Sequence, residues 1–274
     1  MIRAQDIVES VADAFQFISY YHPKDFIDAV FTAYKKEQSP AAKDALAQIL
    51  TNSKLCAMGK RPICQDTGIA TIFVKIGHEC KFDFNNKSLT DLLNEGVRLA
   101  YTDKNNPLRA SVLRDPASKR TNTKDNTPAV IHFEFCSGAD LDIVCAAKGG
   151  GSEAKSKLFM LNPSDSVSDT IINAIPTMGA GWCPPGILGI GIGGTPEKAL
   201  LLAKKSLMDS INIQQLIKTG PQNKIEELRL EIYKRANELG IGAQGLGGLT
   251  TVLDVKILQY PTHAANLPVG LIPN

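Results

Sequence analysis

Over the first sixty residues, apolar side chains recur every three or four positions. Ile7, Val11, Ala14, Phe15 and Ile18 form one stripe, Phe26, Ile27, Val30 and Tyr34 a second, and Ala42, Ala45, Leu46, Ile49 and Leu50 a third. This spacing lines one face of a helix, so three short helices are predicted. Ser39 and Pro40 supply an N-cap and a first-turn proline for the third, and Gly59 stands where it would stop. From Ile69 the pattern changes to "IATIFVKIG", a β-branched and aromatic run that reads as a strand. A helix from about Leu89 to Tyr101 follows Ser88, with Gly96 an unfavourable residue inside it.

The stretch 102–128 is rich in Asn, Asp, Lys, Arg, Ser and Thr, a polar connection longer than compact domains ordinarily carry without a functional reason. "AVIHFEFCSGADLDIVCAAKGGG" reads as two strands joined by Ser137, Gly138 and Ala139, the second running into a glycine triplet. "GTPEKALLLAKKSLMDSI" is a helix with Thr195 as N-cap, Pro196 at its first position and Glu197 in its first turn. "KIEELRLEIYKRANELG" is another helix, stopped by Gly240, and "LTTVLDVKIL" is a last strand. Helices and strands mix without a regular repeat. The expected fold is α/β or α+β: a single domain over 1–274, with a mixed sheet, an N-terminal helical segment and surrounding helices.

Composition narrows the function classes. A net charge of +2 gives no basic surface for nucleic acid, and no apolar run reaches the roughly 20 residues that span a bilayer. The opening "MIRAQDIVESVADAFQF" is amphipathic with acids among its apolar positions, which reads as a cytosolic start. Six cysteines in 274 residues, none in CxxC spacing, fit neither a disulfide scaffold nor a zinc signature, so any metal ligands must come from distant parts of the chain.

Four segments join reactive side chains to glycine or proline: "CQDTG" (64–68), "KGGGSEAKSK" (148–157), "GWCPPGILGIGIGGT" (181–195) and "PTHAANLP" (261–268). Exposed backbone beside a polar group is what a ligand site on loops requires. The glycine triplet feeding Ser152, Glu153 and an apparent helix offers N–H groups to an anion, or is simply a strand-to-helix turn. It lacks the GK[ST] of a phosphate-binding loop, and "GILGIGIGG" lacks the following acid of a dinucleotide fold. Cys56, Cys80, Cys136 and Cys145 fall in helix or strand patterns and read as small core residues. Cys64 and Cys183 sit in or beside Pro/Gly turns, as nucleophile or metal ligand. For a nucleophile the base would be His263, the one histidine of four on a small-residue loop, with no oxyanion-hole signature to accompany it.

Taken together, "QFISYYHPKDF", "CQDTG", "NTPAVIHFE", "AKGGGSEAKSK", "LNPSD", "PTMGAGWCPPGILGIGIGGTPEKA" and "GAQGLGGLTTVLDVKI" resemble the class I, iron–sulfur-dependent fumarate hydratases, and less closely the tartrate dehydratase α subunits. The resemblance implies a [4Fe–4S] cluster held by three cysteines, two of which map onto Cys64 and Cys183, with one iron left open as a Lewis acid. It also implies an acid/base and substrate site at Gln65 and Asp66. Arg109 in "PLRAS" would clamp a substrate carboxylate, Gly149 would offer a backbone N–H, and His263 would be a catalytic residue that hydrogen-bonds the substrate or the metal-bound hydroxyl.

The family's third cluster cysteine belongs to a Pro-Asn-Cys motif, and Pro273 and Asn274 are the last two residues here, so that ligand is expected just beyond Asn274. The expectation is therefore an N-terminal, cluster-binding half of a fumarate hydratase that interconverts fumarate and (S)-malate. It would work with a C-terminal domain or β subunit, as a homodimer in the cytoplasm, and would be inactive alone. The alternatives are an L-tartrate dehydratase α subunit and a non-catalytic module that binds a partner and a dicarboxylate.

Overall fold

In the computed structural model, which describes residues 1–84 and 86–274, the three N-terminal apolar stripes fold as α1 (Ala4–Tyr20), α2 (Lys24–Lys36) and α3 (Pro40–Gly59), after a short strand β1 (Ile2–Arg3). Next come β2 (Ile69–Gly77), β3 (Phe82–Asp83), α4 (Leu89–Thr102), β4 (Leu113–Arg114), β5 (Thr121–Asn122), β6 (Val130–Cys136), β7 (Leu141–Lys148) and the single turn α5 (Gly150–Glu153). The rest of the chain forms β8 (Lys157–Leu161), α6 (Val167–Thr177), β9 (Gly186–Gly193), α7 (Pro196–Ser206), α8 (Ile213–Thr219), α9 (Lys224–Glu238), β10 (Val252–Tyr260) and β11 (Leu267–Pro273). The fold is the expected mixed α/β type. Its contacts gather into two compact units: Met1–His22 with Asn52–Gly150, and Pro23–Thr51 with Gly151–Asn274.

In the first unit β2 is the central strand, parallel to β6 and antiparallel to β7. Its alternate residues Ala70, Ile72, Val74 and Ile76 are buried against Val8, Val11 and Phe15 of α1 and Leu93 and Val97 of α4. Strand alternation meets helical periodicity there, which is why both patterns were visible in the sequence. Ser88 and Asp91 form a capping box at the start of α4. Gly96 has a packing reason: a Cβ there would lie 2.7 Å from the Val11 Cβ, so its absence lets α1 and α4 touch.

In the second unit the strand order is β10-β9-β11-β8, with β9 parallel to β10 and antiparallel to β11. One face carries Leu188, Ile190, Val255, Val269 and Leu271 against α6 and α9. On the other face Ile187 and Ile272 pack with Ala203 and Leu207, and β9 otherwise presents glycines to α7. A Cβ on Gly191 would sit 1.9 Å from the Ala199 carbonyl of α7, and one on Gly189 would sit 2.2 Å from that of Ala203. The alternating glycines of "GILGIGIGG" thus form the interior of a strand on which a helix lies backbone to backbone. Gly191→Ala is expected to cost more than about 4 kcal/mol in urea unfolding, because rigid backbone would have to move.

The same unit holds α2 and the first part of α3, whose Val30, Ala33, Ala42 and Leu46 pack with Ala243 and Leu253. The fully buried Asp254 joins β10 to the start of α8, accepting from the Asn212 N–H at 2.8 Å while Arg229 lies 2.8 Å and Lys256 3.0 Å from its oxygens. Loss of water around Lys256 lowers its pKa.

One part of the pattern folds otherwise than expected. The glycine triplet leads into only one turn before the chain becomes β8, because Lys157–Leu161 pair antiparallel with β11. The polar stretch 102–128 is structured, with a small β4/β5 pair and a fully buried Asn126. Among the described residues no helix is long and apolar enough to cross a membrane.

Candidate active site

The segment that links α3 to β2 carries Cys64, Gln65 and Asp66. Cys64 and Gln65 are exposed and Asp66 is half-buried. The turn is tight: the Cys64 sulfur accepts from the Asp66 N–H at 3.4 Å and lies 3.3 Å from Gln65 Oε1. Both Asp66 oxygens are engaged by backbone donors. Oδ1 accepts from the Gly68 N–H at 3.1 Å and Oδ2 from the Gly150 N–H at 2.7 Å. Two such donors fix the plane of the carboxyl group. Gly149 is close by, since a Cβ there would lie 3.3 Å from Asp66 Oδ2. Asp66 and the glycine triplet, distant in sequence, therefore meet.

The backbone of this turn is held from below. Gly68 has φ +79° and a Cβ there would lie 2.7 Å from the Lys148 nitrogen, so only glycine fits. Its carbonyl accepts from Asn126 Nδ2 at 3.0 Å, and the Thr67 carbonyl accepts from the Tyr101 hydroxyl at 2.7 Å. Burial pushes the Tyr101 phenol up to about 12, which keeps it a donor throughout the neutral range. Thr67 Oγ1 donates to the Arg109 carbonyl at 2.7 Å, so the chain around Arg109 is tied to the Cys64 turn. Arg109 itself is exposed, its guanidinium available to a ligand. Tyr101 and Asn126 went unnoticed in the sequence. A buried asparagine in a polar loop leaves no periodic signal, although "NTP" marks a turn.

The second unit carries the other two candidates. Cys183 is exposed at the end of a turn in which its N–H donates to the Ala180 carbonyl at 2.9 Å. It has φ +59°, a conformation that L-residues avoid and that tends to persist where a side chain is needed in place. His263 is exposed on the loop between β10 and β11. Its Nδ1 accepts from the Ala265 N–H at 3.1 Å, which leaves Nε2 as the ring's donor position.

A cluster of the kind the motifs imply needs soft thiolate donors on accessible backbone. Cys64 and Cys183 are the exposed cysteines. Cys56 is buried, Cys80 donates to the Ala139 and Asp140 carbonyls at 3.1 and 3.2 Å, and burial pushes the Cys145 thiol up to about 12. Cys64 and Cys183 therefore have the donor chemistry that fits two cluster positions. Among the described residues no group of three or more His, Cys, Asp and Glu side chains gathers around one point.

Comparison with known proteins gives these features a context. The family described as fumarate hydratase (Fumerase) matches residues 8–274. A Methanocaldococcus jannaschii protein provisionally named L(+)-tartrate dehydratase subunit alpha is 37% identical over 97% of this chain and 92% of its own length. The anaerobic class I fumarate hydratase of Escherichia coli is 31% identical over 86% of this chain but only 43% of its own length. The L(+)-tartrate dehydratase subunit alpha of Escherichia coli is 29% identical over 97% of this chain and 86% of its own. A family match over nearly the whole chain, with the CQDTG turn, the glycine triplet and the Cys183 turn all within it, shows that this protein belongs to the class I fumarate and tartrate hydratase family.

Proposed function

We propose that this chain is the cluster-bearing α-type component of an iron–sulfur hydro-lyase acting on a four-carbon dicarboxylate, and that L(+)-tartrate is its substrate. The observation that carries this reading is identity: the chain is 37% identical over 97% of its length to the Methanocaldococcus jannaschii relative and 31% identical over 86% to the fumarate hydratase. The motif "QFISYYHPKDF" favours the second reading, hydration of fumarate to (S)-malate with the same machinery.

Cys64 and Cys183 would hold a [4Fe–4S] cluster. When bound, it supplies Lewis-acid chemistry that eases departure of a substrate hydroxyl. The chain's own residues supply the rest. Asp66, oriented by the Gly68 and Gly150 N–H groups, takes the proton from the carbon adjacent to the one that loses its hydroxyl. Arg109 pairs with a substrate carboxylate through two parallel N–H donors, and Gly149 adds a backbone N–H. Gln65 and the Nε2–H of His263 orient the hydroxyl. Removal of water from tartrate this way gives the enol of oxaloacetate. The complementary half of the site would come from a β subunit or a further domain, in an assembly with two copies of each.

The test is a side-by-side comparison of kcat/KM for L(+)-tartrate, fumarate and (S)-malate on the assembled, anaerobically prepared enzyme. Tartrate is expected to lead by about tenfold or more, since a site built to bond a second hydroxyl rejects a substrate that lacks it. A lead for fumarate and malate would move the protein to the second reading.

A further inference from the structure

We propose that Gln244 is a positioning residue for Cys183, gripping the turn that carries the thiol; this rests on the reading of Cys183 as a cluster ligand. The Pro184 carbonyl, directly after Cys183, accepts two hydrogen bonds from this one residue. The Gln244 backbone N–H donates at 2.6 Å and its side-chain Nε2 at 3.0 Å.

The conformation of Gln244 argues that its side chain matters. It sits in the loop 242–248, where Gly242, Gly245, Gly247 and Gly248 all have positive φ, the condition that favours glycine. Gln244 has φ +55° and is not glycine. A left-handed glutamine costs conformational energy that a fifth glycine would avoid, and the amide bond to Pro184 is what the side chain gives in return. Cys183 is the other non-glycine residue of this pair with positive φ. Two strained residues thus meet at one carbonyl.

The loop that presents Gln244 is itself fixed. The buried Glu37 accepts from the Leu249 N–H at 2.9 Å, and Thr251 Oγ1 accepts from the Gly242 N–H at 3.1 Å. Closer to the turn, a Cβ on Gly245 would lie 2.8 Å from the Ala180 Cβ. From another direction, a Cβ on Gly151 would lie 2.6 Å from the Gly181 carbonyl. The turn backbone is held while the Cys183 sulfur stays exposed. A metal-binding thiol needs that combination: its direction set by surrounding groups and its lone pairs open to the metal.

The experiment reads thiol reactivity in the reduced, cluster-free protein. Gln244→Gly removes the amide while relieving the left-handed backbone, and Gln244→Met keeps the bulk without a donor, so either folded variant suffices. Iodoacetamide labelling followed residue by residue with peptide mass spectrometry gives the Cys183 and Cys64 rates in one sample. The Cys183 rate is expected to change about threefold or more, with Cys64 unchanged as the internal control. A Cys183 rate equal to that of the parent in both variants overturns the proposal. A change shared equally by Cys64 also overturns it, because it would mark general loosening. Reconstitution of Cys183→Ser judges the underlying reading separately: undiminished iron and sulfide would remove Cys183 from the ligand set whatever the labelling shows.

Discussion

Asp66→Asn in the assembled enzyme is expected to lower kcat by about 100- to 10,000-fold, the range found when a positioned acid or base is removed. The iron content should not change. Asn keeps one oxygen that can accept from the Gly150 N–H, so the turn that presents Cys64 retains its shape. What is lost is the anion able to take a proton, and one of the two backbone donors now faces an amide. Initial rates across substrate concentration decide the role. Loss in kcat with little change in KM fits proton transfer. A rise in KM with kcat retained would instead make Asp66 a binding group.

Cys64→Ser and Cys183→Ser are each expected to lower turnover by at least about 100-fold, because a hydroxyl is a poor substitute for a thiolate toward iron. The remaining cysteines provide the contrast. Cys80 already spends its S–H on the Ala139 and Asp140 carbonyls, and Cys56 is buried and bonded to Asn52 and the Pro62 carbonyl. Their serine variants should turn over within a few-fold of the parent if they remain folded, as rates measured on the same preparations would reveal. Equal losses for all the variants would point to general thiol damage and away from two specific ligands.

Much of the scaffold was legible in the sequence because its elements obey a local rule. "IATIFVKIG" is strand from Ile69 to Gly77, Ser88 caps α4 through its side chain, Thr195 stands at the N-cap of α7 with its hydroxyl on Glu197, and Gly240 takes a positive φ just after α9. Glycine was harder to read. The run from Gly186 is a strand because α7 needs glycines to pack against, a demand made by an element that comes later in the chain. The helix expected after the triplet is cut to the single turn α5 because β11, more than a hundred residues on, claims Lys157–Leu161 as a partner.

The candidate site divides in the same way. Cys64 and Cys183 were visible because they stood beside Pro and Gly, and Asp66 through the family resemblance. The supports were not: Tyr101, Asn126 and Gln244 act on the carbonyls of Thr67, Gly68 and Pro184, contacts between segments far apart in sequence. Family resemblance brought Arg109 and Gly149 forward. Thr67 ties the Arg109 backbone to the Cys64 turn, and Gly149 leaves the space that Asp66 needs.

The measurement that bears most directly on Cys64 and Cys183 as cluster ligands is iron and acid-labile sulfide per chain, after anaerobic reconstitution of the assembled protein and of its Cys64→Ser, Cys183→Ser and Cys80→Ser variants. The account predicts about four iron and four sulfide for the parent and Cys80→Ser, with a marked fall in both for the other two. A full complement in Cys64→Ser and Cys183→Ser would contradict it.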